Sequence, residues 1–509
     1  MNTEASDLIR LTPDDTVGVA VAALAKGRQV RPWEFTCRAD IPAGHKVALE
    51  PVPKDRPVFK YGAVIGYAAT DIRAGDHVHT HNIYVKETDK NYAVGTRTRE
   101  TRFTAPSARP TFDGYVRPGG LVGTRNYIGV ISTVNCSASV CHFIADAANK
   151  AIGDTCPGFD GVVGISHGAG CCMTIGGEGL SLLQRTLAGF ARNPNFGGIL
   201  VVGLGCEVNL VDTFMEAGQL VETALLKTLD IQDLGGTRAT VEHGVARIKE
   251  MLPQVTAAKR EPVSAEHLVV GLECGGSDAY SGISANPSLG AAADLIVENG
   301  GTVILAETPE IYGAEHLLIQ RAADRATADR LIDRIRWWEA YTEKHGAQIN
   351  NNPTPGNKAG GITTILEKSL GAVAKAGTTN LNGVYAYAEP ITGKGMVFMD
   401  TPGYDIVSIT GMIAGGANMV CFTTGRGTVV GFKPVPCLKL ASNGPLYRHL
   451  SEDIDIDCGP VLDQGVSVRE MGQSIFDAIL DTASGKPSKS EALGFGDREF
   501  VPWHIGAVL

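Results

Sequence analysis

The sequence predicts an α/β protein with a doubly wound, mostly parallel sheet, preceded by a small β-rich module. Three observations point that way. From Pro118 onward, continuously apolar runs alternate with helical stretches, the pattern of strands buried on both faces. Glycine is abundant at 62 of 509 residues while aromatics make up 6%, which suits many tight strand-to-helix turns. The first 86 residues carry only short apolar runs broken by Gly, Pro and Asp, as in a small domain of short strands.

In chain order, the module from Leu11 to Lys86 offers VGVAVAAL, HKVALE and VIGYAAT, then DIRAGDHVHTHN at 71–82. Residues 87–117 are polar and poor in aliphatics; so long a stretch inside one domain is unusual, so it reads as a linker. YIGVISTV (127–134) precedes a helix from Ser137 to Lys150, GVVGIS (161–166) one near Glu178 to Ala191, and GGILVVGLG (197–205) one near Val211 to Leu229. HLVVGLE (267–273) follows a helix from Thr240 to Met251, and GTVILAE (301–307) follows one from Gly290 to Glu298. GMVFMD (395–400) and NMVCFTT (418–424) complete the strands.

The net charge is −10 with no basic run, which argues against nucleic acid as partner, because phosphate affinity needs clustered Lys and Arg. No apolar run reaches the ~18 residues of a membrane span, and MNTEASDLIRLTPDD does not read as a signal peptide. A cytoplasmic protein is expected, with its 11 cysteines mostly reduced and free for metal or redox chemistry.

In an open α/β sheet, ligands bind outside the carboxyl ends of the strands. There the sequence places Cys136, Cys171, Cys206 and Cys274, one after each of four successive strands. Thiolates suit iron, zinc or iron–sulfur clusters; the ordinary alternative is small buried residues in turns. His167 shares a turn with Cys171, and Glu207 and Asp278 add carboxylates to the rim. Helix capping is their plainer use. His77, His79 and His81 alternate in DHVHTHN; on a strand, all three would share one face, suited to a metal or an anion. Glu307 and Glu310 close the fifth strand, Asn357 and Lys358 lie in PTPGNKAGG, and Arg426 sits between glycines after a late strand, placed to fork onto a carboxylate.

GTRNYIGVISTVNC (123–136), LVVGLGCE (200–207), GLECGGSDAYSGISANP (271–287), PTPGNKAGGIT (353–363) and FTTGRGT (422–428) resemble the altronate dehydratase/galactarate dehydratase family, almost end to end. His77-Val78-His79-Thr80-His81-Asn82 is similar to the altronate branch. The resemblance implies an N-terminal SAF-type β-clip domain (1–92), a linker (93–117), a middle α/β domain involved in dimerisation (118–265) and a Rossmann-like C-terminal domain (266–509). It implies a hydro-lyase that dehydrates a sugar acid to a 2-keto-3-deoxy acid and needs a divalent metal, typically Fe2+, with Mn2+ as alternative. An iron–sulfur cluster fits the thiols equally well at this stage. Candidate roles follow: Cys136, Cys171, Cys206 and Cys274 as metal ligands, with Glu207, Glu307 and Glu310 as hard-oxygen alternatives. His79, His81, His167 and Lys358 are candidates for catalysis, and Arg426, Asn357, Ser277 and Asp278 for substrate binding. Galactarate, another aldonate or a sulfo-acid are alternative substrates. A non-catalytic thiolate metal or redox protein is the reading from another class.

Overall fold

The computed structural model describes residues 6–86, 92–153 and 156–507. The N-terminal module is built from short antiparallel strands, as expected. Leu8–Ile9, Val17–Ala20, Lys46–Ala48 and His77–Val78 form one sheet, and Pro57–Lys60, Ala63–Ala68 and Ile83–Tyr84 form another. Its small core gathers Leu8, Ala20, Leu24, Val30, Ile41 and Val47.

The apolar runs of the large part all form strands, but they divide between two sheets. The middle sheet holds β1 (Tyr127–Ser132), β2 (Gly161–Ile165), β3 (Phe196–Gly203) and β4 (Leu226–Asp230). Its order is β2-β1-β3-β4, with every pair parallel. The C-terminal sheet holds β5 (Val269–Cys274), β6 (Thr302–Leu305), β7 (Leu381–Tyr385), β8 (Gly395–Met399), β9 (Met419–Thr424), β10 (Cys437–Ala441) and β11 (Ile456–Asp457). Its order is β7-β8-β6-β5-β9-β10-β11, again parallel throughout. Leaving out β7, this is the doubly wound dinucleotide-fold order, with the switch point between β5 and β9. The middle sheet has its own switch point between β1 and β3.

Two segments differ from expectation. The helix expected over 211–229 stops after Val211–Ala217, and Leu226–Asp230 becomes strand β4. Gly218 caps that helix, and glycine is a common helix stop. The polar stretch read as a linker ends in a strand, Thr111–Val116, paired with Val122–Gly123 and Glu261–Ser264. Phe112 and Tyr115 are buried there, one on each face, so two buried side chains hold a strand that composition alone hides.

The two parallel sheets share one core. Ile131, Val163 and Val201 pack in the same cluster as Ile304, Val397 and Val420. Between them, the helix Glu178–Arg192 crosses Asp405–Ala414 closely enough that a side chain at Gly189 would strike the carbonyl of Ala414. The family-like GTRN segment does structural work. Arg125 reaches the carbonyls of Thr124, Thr482 and Lys486 and pairs with Glu491, and Asn126 donates to Gly158 and Val255.

Candidate active site

The richest chemistry lies at the carboxyl edge of the C-terminal sheet, beside its switch point. β5 ends in Glu273 and Cys274, and the turn after β6 carries Glu307 and Glu310, all four fully or almost fully buried. Lys368, from the helix Ile365–Val373, donates to Glu310 Oε1 at 2.6 Å and to Asn352 Oδ1 at 2.7 Å. Lys375 lies 3.5 Å from Glu307 Oε2, and Cys274 Sγ is 3.8 Å from Glu310 Oε2. One ligand atom each from Cys274, Glu307 and Glu310 lies within 4.8 Å of the others, as for Glu273, Glu307 and Asp405.

This cluster is not settled as it stands. Both carboxylate oxygens of Glu307 and one of Glu273 are buried without a hydrogen bond, and such orphans are costly. Glu307 also holds a left-handed backbone, φ 68°, a conformation that costs a non-glycine residue energy. Burial pushes the Glu273 carboxyl up to about 8, and burial with the neighbouring Glu273 and Glu310 pushes Glu307 well above its ordinary range. Burial alone would lower the two lysines, but Glu310 holds Lys368 up, and Cys274, Glu307 and Glu273 hold Lys375 up. Carboxyls raised by burial thus stand beside ammonium groups that their acidic neighbours hold up.

The N-terminal module brings a second cluster to the same edge. His45 Nδ1 is 3.0 Å from His77 Nε2, and His45 Nε2 is 3.1 Å from the carbonyl of Ala359. A carbonyl only accepts, so His45 carries its proton on Nε2 and turns the Nδ1 lone pair toward His77. His79 stacks on His77, with ring centroids 5.4 Å apart, and its buried Nδ1 has no partner. One nitrogen from each of His45, His77 and His79 lies within 4.8 Å of the others. Burial first, then the neighbouring imidazoles, lowers His77 to about 3; burial, Lys46 and His45 lower His79 to about 4. All three rings are neutral at pH 7, the form that binds metal.

The loop 353–363 ties the two clusters together. Thr354 caps the short helix Pro355–Ala359, and Asn357 Nδ2 donates to the carbonyl of Ser277 at 2.8 Å. From the other side, Lys46 Nζ donates to Gly361 O at 2.5 Å and to Glu367, which also accepts from Lys60 at 2.9 Å. Lys46, Lys60 and Glu367 are all buried. Burial would raise the Glu367 carboxyl, but the two ammonium groups outweigh it and hold Glu367 far below the usual carboxylate range.

The residues expected from sequence meet different fates. Cys274, Glu307 and Glu310 come together in the buried cluster. His77, His79 and His81 also converge, though only His77–Val78 is strand. A turn closed by His79 N–H to Asn82 Oδ1 at 2.9 Å folds His79 back, and His81 faces His77 at 5.5 Å. Lys358 is half-buried and Arg426 exposed at the rim, with Arg426 beside Gly276 at the switch point. Ser277 is buried with its hydroxyl unpartnered.

Others are spent on structure. Glu207 accepts from Thr133 and from the backbone N–H groups of Leu204, Gly205 and Cys206. His167 uses both nitrogens, one on the carbonyl of Ser132 and one accepting from Ala169 N–H. Asp278 accepts from Ser281, Ser442 and Asn443. Asn357 caps its helix. Cys136, Cys171 and Cys206 sit on the middle sheet and Cys274 on the other, so the four thiols do not share one sheet edge.

Sequence reasoning missed His45, Lys46, Lys60, Glu367, Lys368, Lys375 and Asp405. The one readable signal was charge inside apolar segments, as in ILEKSLGAVAKAG (365–377).

Known proteins match the chain along nearly its whole length. Residues 6–86 match the altronate/galactarate dehydratase SAF domain. Residues 114–256 match the D-galactarate dehydratase/altronate hydrolase second domain, and 265–508 the D-galactarate/altronate dehydratase C-terminal domain. The altronate dehydratase of Bacillus subtilis (strain 168) is 35% identical over 504 residues, covering 98% of this chain and 99% of that protein. The chain belongs to the altronate/galactarate dehydratase family. The altronate dehydratase of Escherichia coli (strain K12) is 36% identical over the same shares. Galactarate dehydratase (L-threo-forming) of that organism is 34% identical over 88% of this chain and 86% of its own length. Among the described residues no helix is long and apolar enough to cross a membrane.

The metal that the family resemblance implies has a fitting donor set here. One nitrogen each of His45, His77 and His79 converges, His79 Nδ1 is buried and unpartnered, and the carbonyl of Ala359 fixes the ring of His45, as second-shell acceptors do for metal-bound histidines.

Proposed function

We propose that the protein is a hydro-lyase that removes water from an altronate-type aldonate to give a 2-keto-3-deoxy acid. The observation that carries this reading is the His45–His77–His79 cluster, held by the loop 353–363 against the carboxyl edge of the Rossmann-like sheet. The family membership supports it, and the two altronate dehydratases, matched over nearly the whole chain, favour an aldonate. Fe2+, with Mn2+ as the alternative, is the ion we assign to the three histidines. Bound there, a divalent ion would supply Lewis acidity for charge that develops on substrate oxygens.

The chain's own groups supply the rest. The proton next to a carboxylate is a weak acid, because removing it places a second charge beside the first. Lys358 and Arg426 hold the carboxylate at the rim and offset that repulsion. His81, the imidazole of this turn that the ion does not use, takes the proton. Lys368 and Lys375, lying below, keep the edge electropositive as the enediolate forms. The departing hydroxyl needs a proton, and the half-buried Asp405, which burial and Glu310 raise to about 6, is the donor we assign. The second substrate reading is galactarate, whose dehydratase matches less of the chain. We also propose a cytoplasmic homodimer. All 11 cysteines are free, and the middle domain leaves Ile175 82% and Val221 74% exposed.

A panel of aldonates and aldarates, incubated with Fe2+ under reducing conditions and followed by 2-keto acid formation, tests the assignment. Turnover of altronate above galactarate is expected. Turnover of galactarate alone would move the chain to the other branch, and no keto acid from any sugar acid would overturn the reading.

A further inference from the structure

The carboxyl edge of the middle sheet carries chemistry that the proposed reaction does not use. Four of the 11 cysteines are exposed: Cys136, Cys171, Cys172 and Cys206. All four lie on this one edge, whereas the other seven are buried or half-buried. Free thiols are ordinarily among the most buried side chains, so their concentration in solvent at one edge calls for a use.

The edge is also built. Cys136 follows β1, Cys171 follows β2 and Cys206 follows β3, three neighbouring strands that flank the β1/β3 switch point, where such sheets bind ligands. Backbone bonds lock the three loops to one another. Asn135 N–H donates to Ala169 O at 2.9 Å and Asn209 N–H to Gly170 O at 3.0 Å, while Asn209 Nδ2 reaches Thr133 O at 2.9 Å. Gly170, at φ 98°, passes so close to Thr133 that any side chain there would collide with its carbonyl. Glu207 clamps the Cys206 loop through three N–H groups. The three cysteines therefore stand on a rigid frame, each within a few residues of a cross-link.

We propose that Cys136, Cys171 and Cys206 form a three-thiolate site for an iron–sulfur cluster that leaves one iron open, separate from the histidine site. The spacing selects a cluster over a single ion. Sulfurs on one tetrahedral zinc or iron, bonded at about 2.3 Å, lie roughly 3.8 Å apart. Strands are spaced about 4.8 Å, so Cys171 and Cys206 start two strand spacings apart. Among the described residues, the triads whose ligand atoms fall within 4.8 Å do not include these three. A cluster, several ångströms across, bridges sulfurs that one ion does not. Cys172, with its own backbone at φ 53° and its sulfur 3.8 Å from Cys171 Sγ, is the neighbour that is not a ligand.

The full-length protein, reconstituted anaerobically with ferric iron, sulfide and a dithiol that reduces part of the iron, should gain visible charge-transfer absorption and acid-labile sulfide. Cys136→Ser, Cys171→Ser and Cys206→Ser should each lose most of both, and Cys172→Ser should keep them, with circular dichroism checking that each variant folds. Independently, thiol alkylation mapped by mass spectrometry should show Cys136, Cys171 and Cys206 protected after reconstitution and Cys172 still labelled. Iron without sulfide, sulfide retained by all three variants, or equal labelling of the four thiols before and after reconstitution would each overturn the proposal. Because neither readout involves turnover, failure here leaves the dehydratase reading untouched, and failure of the substrate panel leaves this one untouched.

Discussion

Along the carboxyl edge of the C-terminal sheet, titratable side chains are buried and Glu273 and Glu307 keep oxygens without a hydrogen bond; along the same edge of the middle sheet, Glu207 and His167 are fully bonded and four thiols face solvent. Glu307 keeps two orphaned oxygens in a left-handed turn, while Glu207, at the matching position after β3, accepts four hydrogen bonds. These two glutamates, at matching strand ends, are thus held in opposite ways. Saturated groups fix a frame, and orphaned groups await a ligand or a proton. The proposed sugar-acid chemistry uses the C-terminal edge and leaves the middle edge as a scaffold for its thiols.

The largest effect should come from the joint between the N-terminal module and the C-terminal domain. Among the described residues, Glu367 is the only carboxylate bonded to the buried ammonium groups of Lys46 and Lys60. Glu367→Gln would leave two buried cations unbalanced, a loss of about 3–5 kcal/mol. Hydrogen exchange should show faster opening of the strand Lys46–Ala48, and urea unfolding should shift by that amount. A change below ~1 kcal/mol would mean the ion triad does not hold the module in place.

Next in size is the loss of an imidazole. His79→Ala and His45→Ala should each lower turnover by about 100-fold, the upper end for groups that support a bound metal, and should lower bound iron measured after anaerobic gel filtration. Point substitution is the better probe than deleting the module, because deletion would also strand Glu367. Unchanged turnover in both variants would shift the catalytic load from the module to the C-terminal edge alone.

Smaller still is the contribution of the rim cations. Lys358→Met and Arg426→Met should each raise KM about 10-fold, the low end for a hydrogen bond to a charged group, with kcat changing less. If kcat falls instead and KM holds, the cation acts on the developing enediolate and not on the bound carboxylate.

Much of this contrast was legible in the sequence, and the failures have definite causes. The strands were readable because a strand buried on both faces is continuously apolar, as YIGVIS and GILVVG are. Their division into two sheets came only with the family resemblance, since an apolar run does not encode its neighbour; from the runs alone Cys274 looked equivalent to Cys136, Cys171 and Cys206. The grouping of His77, His79 and His81 was readable from spacing, although a turn and not a longer strand produces it. His45 was invisible because its place depends on the pairing of Lys46 with Val78 and Val47 with His77. Glu207 and His167 had the right residue types in the right turns, but whether such groups are free depends on backbone N–H groups and carbonyls that a sequence pattern does not locate.

The subtlest separation of the two clusters is by pH. Burial raises Glu273 from its ordinary 4.5 to about 8, so between those values the folded protein holds a proton that the unfolded chain has released. Stability then falls as pH rises through this window. His79 is the opposite case. Its folded value is about 4 against an ordinary 6.5, so the unfolded chain binds the extra proton and stability falls as pH drops from about 6.5 toward 4. Urea midpoints of the metal-free protein across this range should therefore respond differently to two substitutions. Glu273→Gln should flatten the alkaline decline and leave the acid one, whereas His79→Gln should do the reverse. If each variant altered both limbs equally, the histidines and the buried carboxyls would be one coupled network, and the loop 353–363 would be its conductor and not merely the joint between two sites.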